Sequence, residues 1–162
     1  MSEQHFREKK LLERTAIRIF LQRHNERYEP AMRLLYQQER PDAVLENTKT
    51  RGKIGLEITH LFYDEYEAKM VLGRQATMQC EIGGLDKLIG ELNERIRVKE
   101  GKFAAYSHDY PLSLLIRNAS PAFRLTDILE RKELICKSAG LFEHIWFLSR
   151  DGGDEWLLAE LH

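Results

Sequence analysis

The stretch KIGLEITHL, residues Lys53 to Leu61, decides the fold, because apolar side chains alternate along it with polar ones and glycine. In an extended chain Ile54 and its alternate neighbours share one face, whereas Glu57 lies on the opposite face beside Thr59. Alternation with a period of two is typical of a β-strand. The sequence therefore predicts a strand that is apolar on one face and carries a carboxylate on the other.

The residues before this strand predict its partner. Residues 42–46 alternate in the same way, and the polar stretch 47–52 then turns the chain. Two such strands joined by a short polar loop predict a hairpin. Asp42 opens the first strand directly after Pro41, so antiparallel pairing can bring its carboxylate close to that of Glu57.

Periodicity also predicts the elements on either side of the hairpin. Apolar residues recur at helical spacing from Phe6 to about Asn25, whereas residues 31–38 fit a helix, a turn or a first strand, with helix or turn favoured. Downstream the sequence predicts a helix at Tyr63–Cys80, a long helix from Leu85 to about Tyr106, a doubly buried central strand at Pro111–Ile116, a helix from about Thr126 to Ser138, and a terminal hairpin at His144–Ser149 and Glu155–Leu161. This order predicts an α/β fold of three layers, with a mixed sheet between helices.

Length and composition indicate an ordinary globular protein. The 162 residues, 43% hydrophobic and 31% charged, suit a single domain over residues 1–162. The apolar runs are too short to cross a bilayer, and the charged N-terminus lacks the pattern of a secretory signal. We therefore expect a cytoplasmic protein with no membrane partner. Cys80 and Cys136 lack the spacing of a disulfide framework or a zinc site.

Charge is balanced overall but uneven along the chain. The net charge of -1 excludes the global positive field of a dedicated nucleic-acid coat protein. Residues 7–33 nevertheless contain eight basic side chains against four acidic ones. This segment could face a polyanion, or it could be the solvated face of an amphipathic helix.

The acidic pair predicts a metal site. Asp42 and Glu57 offer oxygen ligands and leave positions open for water and phosphate, which suits Mg²⁺ or Mn²⁺. Such an ion activates a water molecule and neutralises charge on a phosphate, as hydrolysis of a phosphodiester requires. Glu13, at the edge of the buried stripe of the first helix, is a candidate third carboxylate. Lys99, on the apolar face of the long helix, is the candidate cation, and Lys102 is the alternative.

Pro41-Asp42, fourteen intervening residues and then Glu57-Ile58-Thr59 resemble the signature of the PD-(D/E)xK nuclease superfamily, in the variant form PD…ExT. The resemblance extends roughly from Leu11 to Asn118 and includes the spacing of Lys99 and Lys102 before the buried strand. It implies a restriction-endonuclease-like fold and a metal-dependent endonuclease acting on DNA or RNA. It also implies an initial helix whose carboxylate would be Glu13.

Thr59 departs from the superfamily pattern, because a lysine should stand at that position. A threonine cannot supply positive charge, so Lys99 or Lys102 would have to reach in from the adjacent helix. The leading hypothesis is a nuclease in which Asp42 and Glu57 bind the metal, Glu13 assists directly or through water, and a lysine stabilises the phosphate. A homodimer would provide the two sites that a cut in both strands needs.

Two other hypotheses remain open from the sequence. A catalytically inactive domain of the same fold could bind protein or nucleic acid, as the missing lysine would permit. Alternatively, the fold is an unrelated α/β fold and the pairing of Asp42 with Glu57 is coincidental. His60 has the opposite parity to Glu57, so we expect it on the other face of the sheet, in a structural or exposed position.

Overall fold

The protein is described by a computed structural model that covers residues 3–62, 84–106, 109–120, 123–135 and 140–161. It has an α/β fold built on a six-stranded mixed sheet. The elements, in chain order, are α1 (Glu3–Arg27), β1 (Met32–Gln37), β2 (Ala43–Asn47), β3 (Lys53–Leu61), α2 (Gly84–Gly101), β4 (Leu112–Asn118), α3 (Leu125–Leu129), β5 (His144–Arg150) and β6 (Trp156–Glu160). The helix expected at Tyr63–Cys80 lies outside the described residues.

The strands lie side by side in the same order as in the chain, from β1 to β6. The pairs β3–β4 and β4–β5 are parallel, whereas β1–β2, β2–β3 and β5–β6 are antiparallel. Both expected hairpins are therefore confirmed. Strand β4 has a neighbour on each side and is buried along most of its length, as its continuous apolar run predicted.

Two hydrophobic cores cover the two faces of the sheet. On one face, Ile17 and Phe20 of α1 pack with Leu56 of β3 and Leu115 of β4. On the other, the apolar side of α2 packs with the alternate residues of β3, β4 and β5; this group includes Leu61, Leu88, Leu92, Ile96, Leu114, Ile116 and Phe147. The sheet is thus sandwiched between helices. No helix in the described ranges is both long and apolar enough to span a bilayer.

Residues 31–38 were expected to favour a helix or a turn, and this preference was wrong. They contain β1, which pairs with β2 from Met32 opposite Asn47 to Gln37 opposite Ala43. The side chain of Asn25 donates to the Met32 carbonyl and accepts from its N–H, at 2.8 and 3.0 Å. These two bonds hold the chain that follows α1 in an extended conformation. Pairing with β2 then outweighs the local preference of residues 31–38 for a helix or a turn.

Two predicted helices are shorter than their sequence patterns suggested. The long helix ends at Gly101 instead of Tyr106, and residues Phe103–Ala105 form a 3₁₀ turn. Glycine lowers helix stability at that point, and a tighter turn replaces the last α-helical one. The helix expected from Thr126 is α3 followed by a second 3₁₀ turn at Lys132–Leu134.

Candidate metal centre

The candidate site lies where strands β2 and β3 separate. The ladder between them starts at Ala43 opposite Leu56, so no residue of β2 pairs with the later part of β3. Beyond that point the side chain of Asp42 bonds to β3 instead of the β2 backbone, because its Oδ2 accepts a hydrogen bond from the N–H of Ile58 at 2.8 Å. Asp42 is thereby held beside the strand that carries Glu57.

A glycine in β3 makes room for the turn that carries Asp42. A Cβ atom built on Gly55 would clash most closely with the side chain of Leu112, and it would lie 2.8 Å from Cγ of Pro41 and 2.9 Å from Cε2 of Tyr110. A larger residue would therefore displace at least one of these side chains. Displacement of Pro41 would move Asp42 away from β3. Sequence reasoning did not assign Gly55 a role, although an isolated glycine within a strand often marks such a close approach.

Asp42 and Glu57 form a buried pair within hydrogen-bonding reach of each other. Burial, followed by the hydrogen bond and the negative charge of Glu57, raises the pKa of Asp42 to about 8. Burial opposes ionisation of Glu57 as well, but its hydrogen bonds with Asp42 and Tyr106 and the charge of Lys99 outweigh that effect and lower its pKa. At neutral pH the pair therefore holds one proton, chiefly on Asp42.

Glu13 of α1 contributes a third carboxylate to the same region. Its side chain is buried, and its nearest cations are Lys9 at 3.8 Å and Lys10 at 3.6 Å. Burial raises its pKa despite these lysines, and the charge of Glu57 adds to the rise. The helix thus places Glu13 at the same cavity as Asp42, and near enough to Glu57 for the two charges to interact.

Of the two candidate lysines, Lys99 lies at the pair. Its Nζ is 3.5 Å from Oε2 of Glu57, and its side chain is 19% exposed. Lys102 comes after the end of α2 and is exposed. Thr59 is buried on β3 two residues beyond Glu57, so the positive charge next to this carboxylate comes from the helix and not from the strand.

A cavity of about 310 Å³ opens beside these groups and is lined in part by Glu13, Asp42 and Lys99. His60 also lines it, and the Nδ1 atom of its ring lies 3.4 Å from the Arg117 guanidinium. Burial and the charge of Arg117 lower the pKa of His60 to about 4, so the ring is neutral at pH 7 and can accept that hydrogen bond. A substrate group could reach the carboxylates through this cavity.

The residues present fit a hard cation that keeps several of its waters. Oε1 of Glu57 is buried without a hydrogen-bond partner, and the buried Oε2 of Glu13 has an ion pair with Lys10 at 3.6 Å but no hydrogen bond within 3.5 Å. Unpaired buried oxygens are costly, and a cation with its waters would satisfy them. Within the described part of the chain, no three His, Cys, Asp or Glu side chains form a ready-made cage. Mg²⁺ commonly needs only one or two protein carboxylates.

The basic segment 7–33 is not one continuous surface. Arg33 belongs to β1, not to the helix, and pairs with Glu46 at 2.7 Å. Arg7 and Arg23 of α1 are also paired with acidic residues. Arg14 and Arg18 are exposed on α1. The part of this segment that could meet a polyanion is therefore smaller than its composition indicated.

Comparison of the chain with family models, with curated proteins and with solved structures found no match in any of the three.

Proposed function

We propose that this protein is a metal-dependent phosphodiesterase of the nuclease type, acting on DNA or RNA, with a restriction-endonuclease-like fold. The observation that carries the proposal is the buried contact between Asp42 and Glu57, with Lys99 next to it. Burying two carboxyl groups against each other costs stability, and such an arrangement is typical of a functional site. The order of helix, hairpin and buried strand agrees with this fold.

Asp42 and Glu57 would be the metal ligands, with Glu13 assisting directly or through water. A bound Mg²⁺ or Mn²⁺ would neutralise charge on the phosphate and lower the pKa of a water molecule. The pair must release its shared proton to bind the ion, because carboxylate ligands bind in their ionised form. Glu13, whose pKa is raised, is suited to hold a proton near the cavity.

Lys99 would stabilise the phosphate in place of the superfamily lysine, because Thr59 occupies the position of that lysine. Its ammonium group approaches Glu57 from α2, on the face of β3 where a lysine at position 59 would also lie. Since the position of a charge matters more than the element that carries it, this replacement can preserve the chemistry. The resemblance to PD…ExK nucleases can therefore extend to function.

Calorimetric titration of Mn²⁺ and Mg²⁺, with cleavage of plasmid and single-stranded substrates on the same samples, tests the proposal. We expect Asp42→Ala and Glu57→Ala to abolish both metal binding and cleavage. Glu46→Gln is the matched control, because Glu46 is a strand carboxylate that pairs with Arg33 and Arg51. Absence of metal binding by the wild type would refute the metal centre.

A second candidate function is a nucleic-acid- or protein-binding domain without catalysis. The threonine at position 59 and the lack of a three-ligand cage among the described residues favour it. It predicts that nucleic acid binds equally well with and without metal and is never cut. A homodimer remains part of the nuclease proposal, and sedimentation of the purified protein measures it directly.

A further inference from the structure

A second cavity, of about 360 Å³, lies at the ends of β4 and β5 and is called the arginine cavity below. Three arginines, Arg117, Arg124 and Arg150, line it together with small or uncharged residues that include Gly152, Gly153 and Trp156. None of these residues is acidic. A cavity of this size with several cationic groups and no carboxylate in its wall is suited to an anion.

Trp156 holds two of the arginines in place. The guanidinium carbon of Arg150 lies 4.7 Å from the centre of the indole ring, and that of Arg117 lies 5.2 Å from it. Arg150 and Trp156 are paired across β5 and β6, whereas Arg117 comes from β4. Cation–π contact fixes the planar groups without neutralising them.

The positive charge in this cavity is compensated only in part. In the described ranges Arg117 and Arg150 form no ion pair, and Arg124 has only Asp127 at 3.7 Å. The nearby Asp151 accepts hydrogen bonds from the backbone and hydroxyl of Thr126, and the positive charge of Arg124 also lowers its pKa. Burial and the charge of Arg150 both lower the pKa of Arg117, as expected for like charges held together.

The arginine cavity adjoins the candidate metal centre through one contact. NH1 of Arg117 lies 3.4 Å from Nδ1 of His60, and His60 lines the cavity that also contains Asp42 and Lys99. His60 and Arg117 are register partners on neighbouring parallel strands. An extended ligand could therefore have one group at the carboxylates and another at the arginines.

We propose that the arginine cavity binds a phosphate group of the nucleic-acid strand whose scissile phosphate lies at the metal centre. Guanidinium groups bind phosphate oxygens through two parallel hydrogen bonds, and several of them can share one phosphate. Gly152 and Gly153 present backbone without side chains at the same wall. The inference rests on the proposed function and adds a second contact point for its substrate.

Binding of a short single-stranded oligothymidylate in EDTA tests the inference without any metal. Fluorescence anisotropy of the labelled oligonucleotide gives the affinity, and the tryptophan emission reports on Trp156, with Trp156→Phe to assign the signal. We expect Arg150→Gln and Arg117→Gln to weaken binding about tenfold each and to reduce the salt dependence by about one counterion. Lys49→Gln is the control, because it removes one exposed charge in the β2–β3 turn.

Arg150 is exposed, so its variant will fold even if the half-buried Arg117 proves structurally necessary. Equal affinities for Arg150→Gln and Lys49→Gln would refute the arginine cavity as a phosphate site. A mononucleotide or inorganic phosphate that binds as tightly as the oligonucleotide would refute the assignment to a strand. Unchanged cleavage by Arg150→Gln would refute the inference and leave the nuclease proposal intact. Oligonucleotide binding that depends on Arg150, without cleavage by the wild type, would support the phosphate site and refute the nuclease proposal.

Discussion

Replacement of Asp42 by asparagine should change how the stability of the metal-free protein depends on pH. In the unfolded chain a carboxyl group ionises near pH 4, whereas Asp42 in the folded protein keeps its proton up to about pH 8. Between about pH 5 and pH 8 the folded protein therefore binds one proton more than the unfolded chain. The stability that the protonated Asp42 contributes is complete at low pH and is lost as the pH rises.

The magnitude follows from proton linkage. One bound proton corresponds to a fall of about 1.4 kcal/mol in the free energy of unfolding per pH unit, or about 4 kcal/mol over this range. Asparagine cannot ionise, yet its side-chain oxygen can still accept the N–H of Ile58. The lowered pKa of Glu57 acts in the opposite direction, because its contribution is present above its unfolded pKa and is lost below it. That loss lies at more acidic pH than the range considered.

Urea unfolding in EDTA, followed by circular dichroism between pH 5 and pH 8, measures this effect. We expect the stability of Asp42→Asn relative to the wild type to increase steadily across the range. Asp86→Asn is the control, because Asp86 is an exposed aspartate paired with Arg131. Parallel pH curves for the wild type and Asp42→Asn would show that Asp42 ionises normally, and the reasoning about the buried pair would fail.

Three further predictions concern the metal centre. The affinity for Mn²⁺ should rise about tenfold per pH unit below pH 8, because binding releases about one proton. Calorimetry in buffers of different ionisation enthalpy detects that proton. An affinity that does not depend on pH would contradict this prediction. Lys99→Ala should lower the cleavage rate at least about 100-fold by removing charge at the phosphate, whereas Lys102→Ala should not; equal effects in kinetic assays would exclude this role. Gly55→Ala should cost about 1–3 kcal/mol in urea unfolding and weaken metal binding by displacing Pro41; unchanged metal affinity would show that Asp42 does not depend on this packing.

Local patterns were enough to predict most elements of the sheet. Alternation along residues 53–61 and the apolar run that begins at Pro111 each reflect the faces of a strand, and this information lies within a few consecutive residues. The stripe of α1 depends in the same way on spacing along one helix. The candidate carboxylates could be proposed because two of them belong to the hairpin that these patterns define.

Long-range contacts determined what local patterns left open. Residues 31–38 became a strand because β2 offers them a ladder, and the end of α2 at Gly101 left Lys102 exposed while Lys99 meets Glu57. The arginine cavity escaped sequence analysis altogether, since it combines residues from three strands and the turns beside them.

The sequence by itself determined five of the six strands, the hairpins and the choice of Asp42 and Glu57, because periodicity and residue type are local properties. Only the tertiary structure decided the contact between these carboxyls, the proton they share and the lysine that faces them. Contact and burial depend on the register of β2 against β3 and on the packing of α1 and α2 over the sheet. A pKa depends on that environment, so no spacing in the chain could have fixed it.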